Sequence, residues 1–134
     1  NLGTIIRLCD WFHISQILCS LETVDVFNPK CVRDPMASLG RAQVDYVDLE
    51  KHLVDSSLTV FPTAMQGTSI YDIDLPASGI IVMGNESAGI SPEIISLGTQ
   101  ISIPQYGTQR DTESLNVAMA TAVILGEWKR STEM

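Results

Sequence analysis

Ile101 to Trp128 reads I-S-I-P-Q-Y-G-T-Q-R-D-T-E-S-L-N-V-A-M-A-T-A-V-I-L-G-E-W, and the fold turns on how this stretch is parsed. Thr99–Ile103 is rich in β-formers and stops at Pro104, which has no N–H to give a ladder, so it reads as a short strand. Tyr106–Glu113 is polar and holds Gly107, so it reads as a loop. Ser114 stands where an N-cap belongs, its hydroxyl able to accept an N–H of the next turn. From Leu115 to Trp128 nearly every residue is apolar, Asn116 being the main exception at the mouth. A helix apolar on most sides is expected to be buried on most sides. A polar loop and helix start beside a strand end is where an α/β protein keeps a ligand.

Working outward, Gly79–Ser91 (G-I-I-V-M-G-N-E-S-A-G-I-S) reads as a continuous apolar strand covered on both faces, then a glycine-rich turn. Ser91-Pro92-Glu93 starts a helix with a cap, proline at the first position and an early acid, running to about Leu97. Leu58–Pro62 and Val44–Val47 read as strands, and Thr63–Gly67 as a loop at the first one's C-terminal end. Asp48 caps a short helix to Asp55. Asn28-Pro29 starts another helix, cut short by Pro35. Ile14–Leu21 alternates like a strand. Asn1–Phe12 reads as a helix with Leu2, Ile5, Ile6, Cys9 and Phe12 (or Trp11) on one stripe and Gly3, Arg7 and Asp10 opposite. There Arg7 and Asp10 can pair at i+3. Strands alternating with helices imply an α/β fold, a mostly parallel sheet with helices on both faces.

Composition narrows the options. The 134 residues suit a single domain, and 45% hydrophobic content suits a packed core rather than disorder. No apolar run reaches the roughly 18 residues of a membrane span. No secretory leader is expected, and Cys9, Cys19 and Cys31, an odd count without C-x-x-C spacing, read as reduced core thiols of a cytoplasmic protein. Neither His13 nor His52 has a ligand partner at i+4, so no metal site is expected. The eight basic residues (Arg7, Lys30, Arg33, Arg41, Lys51, Arg110, Lys129 and Arg130) against 16 acidic ones leave a net charge of −8, which argues against tight RNA binding unless some of them converge on one face. The G-N-E-S-A-G turn has the outer glycine spacing of a P-loop, but no G-K-[ST] follows, and G-x-G-x-x-G is absent.

Three motifs stand in order: N-x-G-x-x-x-R from Asn1 to Arg7, G-N-E-x-x-G-I-S from Gly84 to Ser91, and I-P-x-x-G…S-L-N-V-A from Ile103 to Ala118. Any one is weak; in this order the set resembles the SpoU (TrmH-like) RNA ribose 2′-O-methyltransferases of the SPOUT class. The resemblance implies a deep C-terminal trefoil knot in which the segment after about Ile101 threads a loop near residues 80–90. It implies S-adenosyl-L-methionine as cofactor and a tRNA or rRNA substrate. It also implies a homodimer through the first and last helices. By the same resemblance, cofactor contacts fall on Thr63, Ala64, Met83, Gly84, Asn85, Glu86, Ile103, Pro104, Ser114, Leu115, Asn116 and Ala118. Arg7 matches the proposed catalytic arginine. Asn1 orients it or the ribose, Glu86 acts as base or loop holder, and Ser114 and Asn116 cap the last helix and position cofactor or phosphate.

Departures accompany the match. Asp34–Ala37 replaces the small-residue pattern A-[ST]-x-G, and six residues, Thr108–Glu113, separate Gly107 from Ser114 where about three are usual. The strand that normally precedes the first motif is missing, so residues 1–134 are expected to be one methyltransferase domain lacking that strand or an N-terminal extension. The leading expectation is RNA 2′-O-ribose methyl transfer. The alternative is a cofactor- or RNA-binding protein without catalysis, and a third reading is a base methyltransferase from another SPOUT branch.

Overall fold

The structure is a computed structural model that describes residues 2–21, 42–84, 89–107 and 115–132. The chain divides into two compact units, Asn1–His52 and Leu53–Met134.

In the first unit, helix α1 (Leu2–Trp11) buries Leu2, Ile6 and Cys9, the i, i+4, i+7 stripe expected from the spacing. Trp11 stays exposed, so Phe12 continues the covered side. The helix ends in a Schellman arrangement: the Ile14 N–H donates to the Cys9 carbonyl (2.7 Å) and the His13 N–H to that of Asp10 (3.3 Å). His13 takes the left-handed position, with φ 57, where glycine is usual. Strand β1 (Gln16–Ser20) follows and pairs in parallel with β2 (Gln43–Val47), Gln16 opposite Gln43 through Ser20 opposite Val47. The helix expected after Asn28-Pro29, and the Asp34–Ala37 departure, lie outside the described residues. Asp48 caps α2 (Leu49–Asp55) as expected, its carboxylate accepting the Lys51 N–H at 3.3 Å.

The second unit is built on three parallel strands in the order β4-β3-β5: β3 (Val60–Ser69), β4 (Ile80–Val82) and β5 (Ile101–Ser102). Alternation divides their side chains between two apolar clusters. Phe61, Ile81 and Met83 join Ile70, Ile101 and Ile124; Val60, Ile80 and Val82 join Leu53, Ile94 and Leu97. Ile124 lies on α4 (Val117–Thr132), Leu53 on α2 and Ile94 on α3 (Pro92–Ile95). So α4 covers one face and Leu53 and α3 the other, which is the covered-sheet arrangement the apolar run at Gly79–Gly84 foretold. Ser91 caps α3 with Pro92 at its start, as read from the sequence; its hydroxyl accepts the Ile94 N–H at 3.4 Å.

Two expectations are corrected here. Thr63–Gly67 is not a loop after a strand: β3 runs on to Ser69. Thr63 and Thr68 both register with Ile101, so residues 64–67 bulge from the ladder between them. The bulge fits because the backbone comes very close. A Cβ on Gly67 would sit 2.7 Å from backbone atoms of Gln100 and Ile101, and one on Gly98 would overlap the Val60 carbonyl. The last helix begins at Val117 rather than Leu115, and it buries one stripe (Ala118, Thr121, Ile124, Leu125, Trp128) rather than most sides. Met119 and Val123 face solvent, because a helix lying on one sheet face has only one face to bury.

Candidate functional site

Parallel strands bring their C-terminal ends to one edge of the sheet, and in the second unit that edge gathers most of the residues singled out from sequence. Pro62 registers with Val82, and Thr63 with Ile101. Thr63 ties the edge together, its hydroxyl donating to the Val82 carbonyl at 3.0 Å. On the far side Ser102 donates to the Gly67 carbonyl at 2.8 Å, holding the bulge against β5. Met83–Gly84 and Ile103–Pro104 continue past the last paired positions, so their main-chain groups are not committed to the ladder. Ala64 opens the bulge beside them.

The direction of α4 places its N-terminus at the same edge. Trp128, near its other end, donates its indole N–H to the Pro76 carbonyl at 2.6 Å and meets Phe61 edge-on, ring centroids 6.2 Å apart. Its ring also reaches within 3.3 Å of where a Cβ on Gly79, just before β4, would lie. Trp128 therefore marks the N-terminal end of β4. Ile124, one turn back, belongs to the cluster with Phe61, Ile70 and Ile101 against which Ile81, Met83 and Ile103 pack. From Trp128 to Ala118 the helix rises about 15 Å, and from Gly79 to Gly84 a strand rises about 16 Å. The helix mouth thus stands level with Gly84 and the ends of β3 and β5.

Asn116 caps that mouth. Its side-chain oxygen accepts the N–H groups of Ala118 (2.9 Å) and Met119 (3.4 Å). The cap expected of Ser114 is thereby taken by Asn116 for the helix as it starts, and Ser114 itself lies outside the described residues. Leu115 is exposed beside the cap and Ala118 is buried beneath it. Asn85 and Glu86 also lie outside the described residues. On either side of them, a Cβ on Gly84 would come 3.1 Å from the Gly89 backbone, and Gly89 itself is left-handed, φ 69. The gathered edge combines partly buried apolar side chains (Met83, Ile103), uncommitted backbone groups and the positive end of a helix. That set fits a flat heterocycle with a polar or charged tail.

The first unit carries the remaining candidates. Arg7 is exposed on α1, and Asn1 lies outside the described residues. The Arg7–Asp10 pair is not formed as a hydrogen bond, since both Asp10 carboxylate oxygens are buried without a hydrogen-bond partner among the described residues. From the sequence Asp10 reads only as a partner for Arg7, and His13 only as a histidine without a metal-ligand partner; its left-handed position at the helix end is added by the structure. Cys9, beside them, is a free thiol pushed up from 9.0 to about 11 by burial and by the neighbouring Asp10 charge. Burial raises the free thiol of Cys19 too. Among the described residues no group of three or more His, Cys, Asp and Glu could hold a metal ion, and no helix is long and apolar enough to cross a membrane.

Comparison with known proteins agrees with this arrangement. Residues 1–126 match the model of the SpoU rRNA Methylase family. The chain is 32% identical over 133 residues to the 23S rRNA (guanosine(2553)-2′-O)-methyltransferase RlmP of Bacillus subtilis, covering 93% of this chain and 51% of that protein. The structure of a TrmH-family RNA methyltransferase from Porphyromonas gingivalis superposes with a TM-score of 0.83 at 36% identity, over 96% of this chain and 54% of that one. An AdoMet-bound rRNA methyltransferase from Sinorhizobium meliloti superposes with a TM-score of 0.82 at 31% identity, over 98% and 51%. The chain spans about half the length of these relatives. With an α/β fold of parallel strands and helices, three motifs in order and a family match over nearly its whole length, the chain belongs to the SpoU rRNA Methylase family.

Proposed function

We propose that this chain is the catalytic part of an S-adenosyl-L-methionine-dependent methyltransferase acting on a ribose 2′-hydroxyl of tRNA or rRNA. The observation that carries the reading is the convergence of three parallel strand ends with the capped mouth of α4, in a chain of this family whose relative from Sinorhizobium meliloti is AdoMet-bound. When bound, the cofactor supplies an electrophilic methyl group on a sulfonium. The chain's own residues do the rest. Met83, Ile103 and Leu115 offer apolar walls. The backbone of Gly84, Ile103 and Pro104 offers edge hydrogen bonds, and Asn85 is assigned to the cofactor by its place in the second motif. Thr63 and Ala64 bound the bulge, Asn116 and Ala118 stand at the helix mouth, and Glu86 and Ser114 are assigned to the cofactor by their place in the motifs.

Arg7 is assigned to the ribose and its neighbouring phosphate, where a guanidinium stabilises alkoxide charge as the hydroxyl loses its proton. Asn1 orients it, and Glu86 serves as base or as the group that holds the loop. We read residues 1–134 as one methyltransferase domain, supported by a family match that runs through both units. A trefoil knot, with the segment after Ile101 threaded through the 80–90 loop, is the topology that membership of this family implies. A homodimer through α1 and α4 is supported by exposed Trp11, Met119 and Val123.

The test is transfer of labelled methyl groups from S-adenosyl-L-methionine to total RNA, followed by nucleoside analysis. A 2′-O-methylated nucleoside is expected. Cofactor binding without transfer supports a non-catalytic binding protein instead, which the net charge of −8 would suit, and a methylated base refutes the ribose assignment.

A further inference from the structure

Tyr106 is 81% exposed, the most open of the large apolar side chains among the described residues. A ring so exposed contributes almost nothing to the fold, and its position is what sets it apart. It stands on the loop after β5, two residues past Pro104, so at most about 7 Å of backbone separates it from the site edge. That loop is shaped to hold it out. Ile103 packs against the apolar cluster beneath, and Pro104 fixes its own φ. Gly107 turns the chain with φ 100, and a Cβ there would meet nothing within 4 Å. The turn that carries the ring thus stands in open space on an anchored base.

The chemistry of that edge specifies what the ring meets. Residues 53–107 include no lysine or arginine, and Arg110 lies outside the described residues. Lys129 and Arg130 sit in the last turn of α4, at the end away from the mouth, and Arg130 is paired with Glu127 at 2.8 Å. The described residues of the edge therefore bring no side-chain cation to a phosphate, the usual source of nucleic-acid affinity. In a chain of net charge −8, an RNA at this edge is held by contacts that do not need charge. Stacking is such a contact: every base has a π-face, and a tyrosine ring takes one whatever the sequence. Bases within a duplex are stacked on each other, so the partner is an unpaired base. The cofactor's adenine is not the occupant, because an open ring gives no enclosing wall while partly buried Met83 and Ile103 do.

We propose that Tyr106 is a positioning residue that stacks on an unpaired base of the RNA, at or next to the nucleotide being methylated, and holds it without selecting which base it is. This deepens the ribose methyl transfer reading and rests on it for RNA as the substrate.

The test is binding of a labelled single-stranded RNA decamer of mixed sequence, read by fluorescence anisotropy, beside an abasic ribose-phosphate decamer with the same number of phosphates. Affinity for S-adenosyl-L-methionine and methyl transfer to total RNA are measured separately. Tyr106→Ala should weaken binding of the single strand about 5- to 100-fold and leave binding of the abasic strand unchanged. Tyr106→Phe keeps the ring and should bind within about twofold of the parent. The salt dependence of binding, the cofactor affinity and the melting temperature should be the same in parent and Tyr106→Ala, since stacking releases no counterion and the ring lies outside the core. No measurable binding of the single strand by the parent, or equal binding by parent and Tyr106→Ala, overturns the proposal. So does an equal loss on the abasic strand. A loss of cofactor affinity in Tyr106→Ala overturns it by making the ring a wall of the cofactor site, and a changed sedimentation coefficient does so by placing the ring against a second copy of the chain. Ring-dependent binding of the single strand in a chain that transfers no methyl keeps the stack and removes the enzyme reading. Methyl transfer with RNA binding unaltered in Tyr106→Ala removes the stack and keeps the enzyme.

Discussion

Asn116 performs two tasks that a short substitution series separates. Its side-chain oxygen receives one well-formed bond, from Ala118 at 2.9 Å, and one long one, from Met119 at 3.4 Å. Asn116→Ala removes both, but the position is exposed and water recovers part of the loss. The expected cost is about 1 kcal/mol, the middle of the range for N-cap asparagine replaced by alanine. In a chain of this length that lowers the melting midpoint by roughly 3–5 °C. Asn116→Asp keeps the acceptor and adds a negative charge at the helix's positive end, worth about 0.3–1 kcal/mol, so it should match or exceed the parent in stability. Cofactor affinity should follow a different order. If the amide's N–H groups face the ligand, Ala and Asp both weaken S-adenosyl-L-methionine, Asp despite its sound cap. Urea and thermal denaturation give the first order and calorimetric titration the second. An Asn116→Ala midpoint equal to the parent's would refute the cap energetics, and affinities that merely track stability would reduce Asn116 to a cap.

Arg7→Ala should lower single-turnover methyl transfer about 100- to 1000-fold, the loss of roughly 3–4 kcal/mol of transition-state stabilisation, with cofactor affinity nearly unchanged; Arg7→Lys should not rescue it, and a parental rate in Arg7→Ala returns the residue to the solvated surface. His13→Gly should stabilise the chain by about 1 kcal/mol by relieving the left-handed backbone at φ 57, read as a higher urea midpoint; an unchanged or lower midpoint would mean the imidazole contributes more than the strain costs. Because Cys9 is raised from 9.0 to about 11, the unfolded chain loses its thiol proton first as pH rises, so stability should fall between about pH 9 and 11. Cys9→Ala should flatten that alkaline slope, and a slope unchanged in the variant would assign it to other groups.

Features set by neighbours in sequence were the ones read well. Ser91-Pro92 and Asp48 announce helix starts through their own side chains, and the structure has both caps where those residues stand. The stripe of Leu2, Ile6 and Cys9 needs only its spacing. What escaped was decided by distant partners. The bulge at residues 64–67 exists because Ile101, far along the chain, registers with Thr63 and again with Thr68. Ser114 and Asn116 are both able caps, and only the seat of α4 on the sheet selects where the helix begins. Composition marked Met119 and Val123 as apolar without saying that a helix on one sheet face leaves them outside. At the site, strand ends and helix mouth were legible as elements; that they meet at one edge follows from the parallel pairing and the antiparallel run of α4, neither of which a local pattern encodes.

The seating of Trp128 has a mechanical consequence. Held by Pro76 and Phe61, it acts as the pivot of a rod whose other end is the helix mouth about 15 Å away. A tilt of about 4° around that pivot swings the mouth by about 1 Å, a displacement that in a reacting site is enough to cost on the order of 100-fold in rate. Side chains around Pro76, Gly79 and Phe61, at the opposite end of the helix from its mouth, therefore set the aim of Asn116, and small changes there should register as loss of alignment before they register as loss of fold.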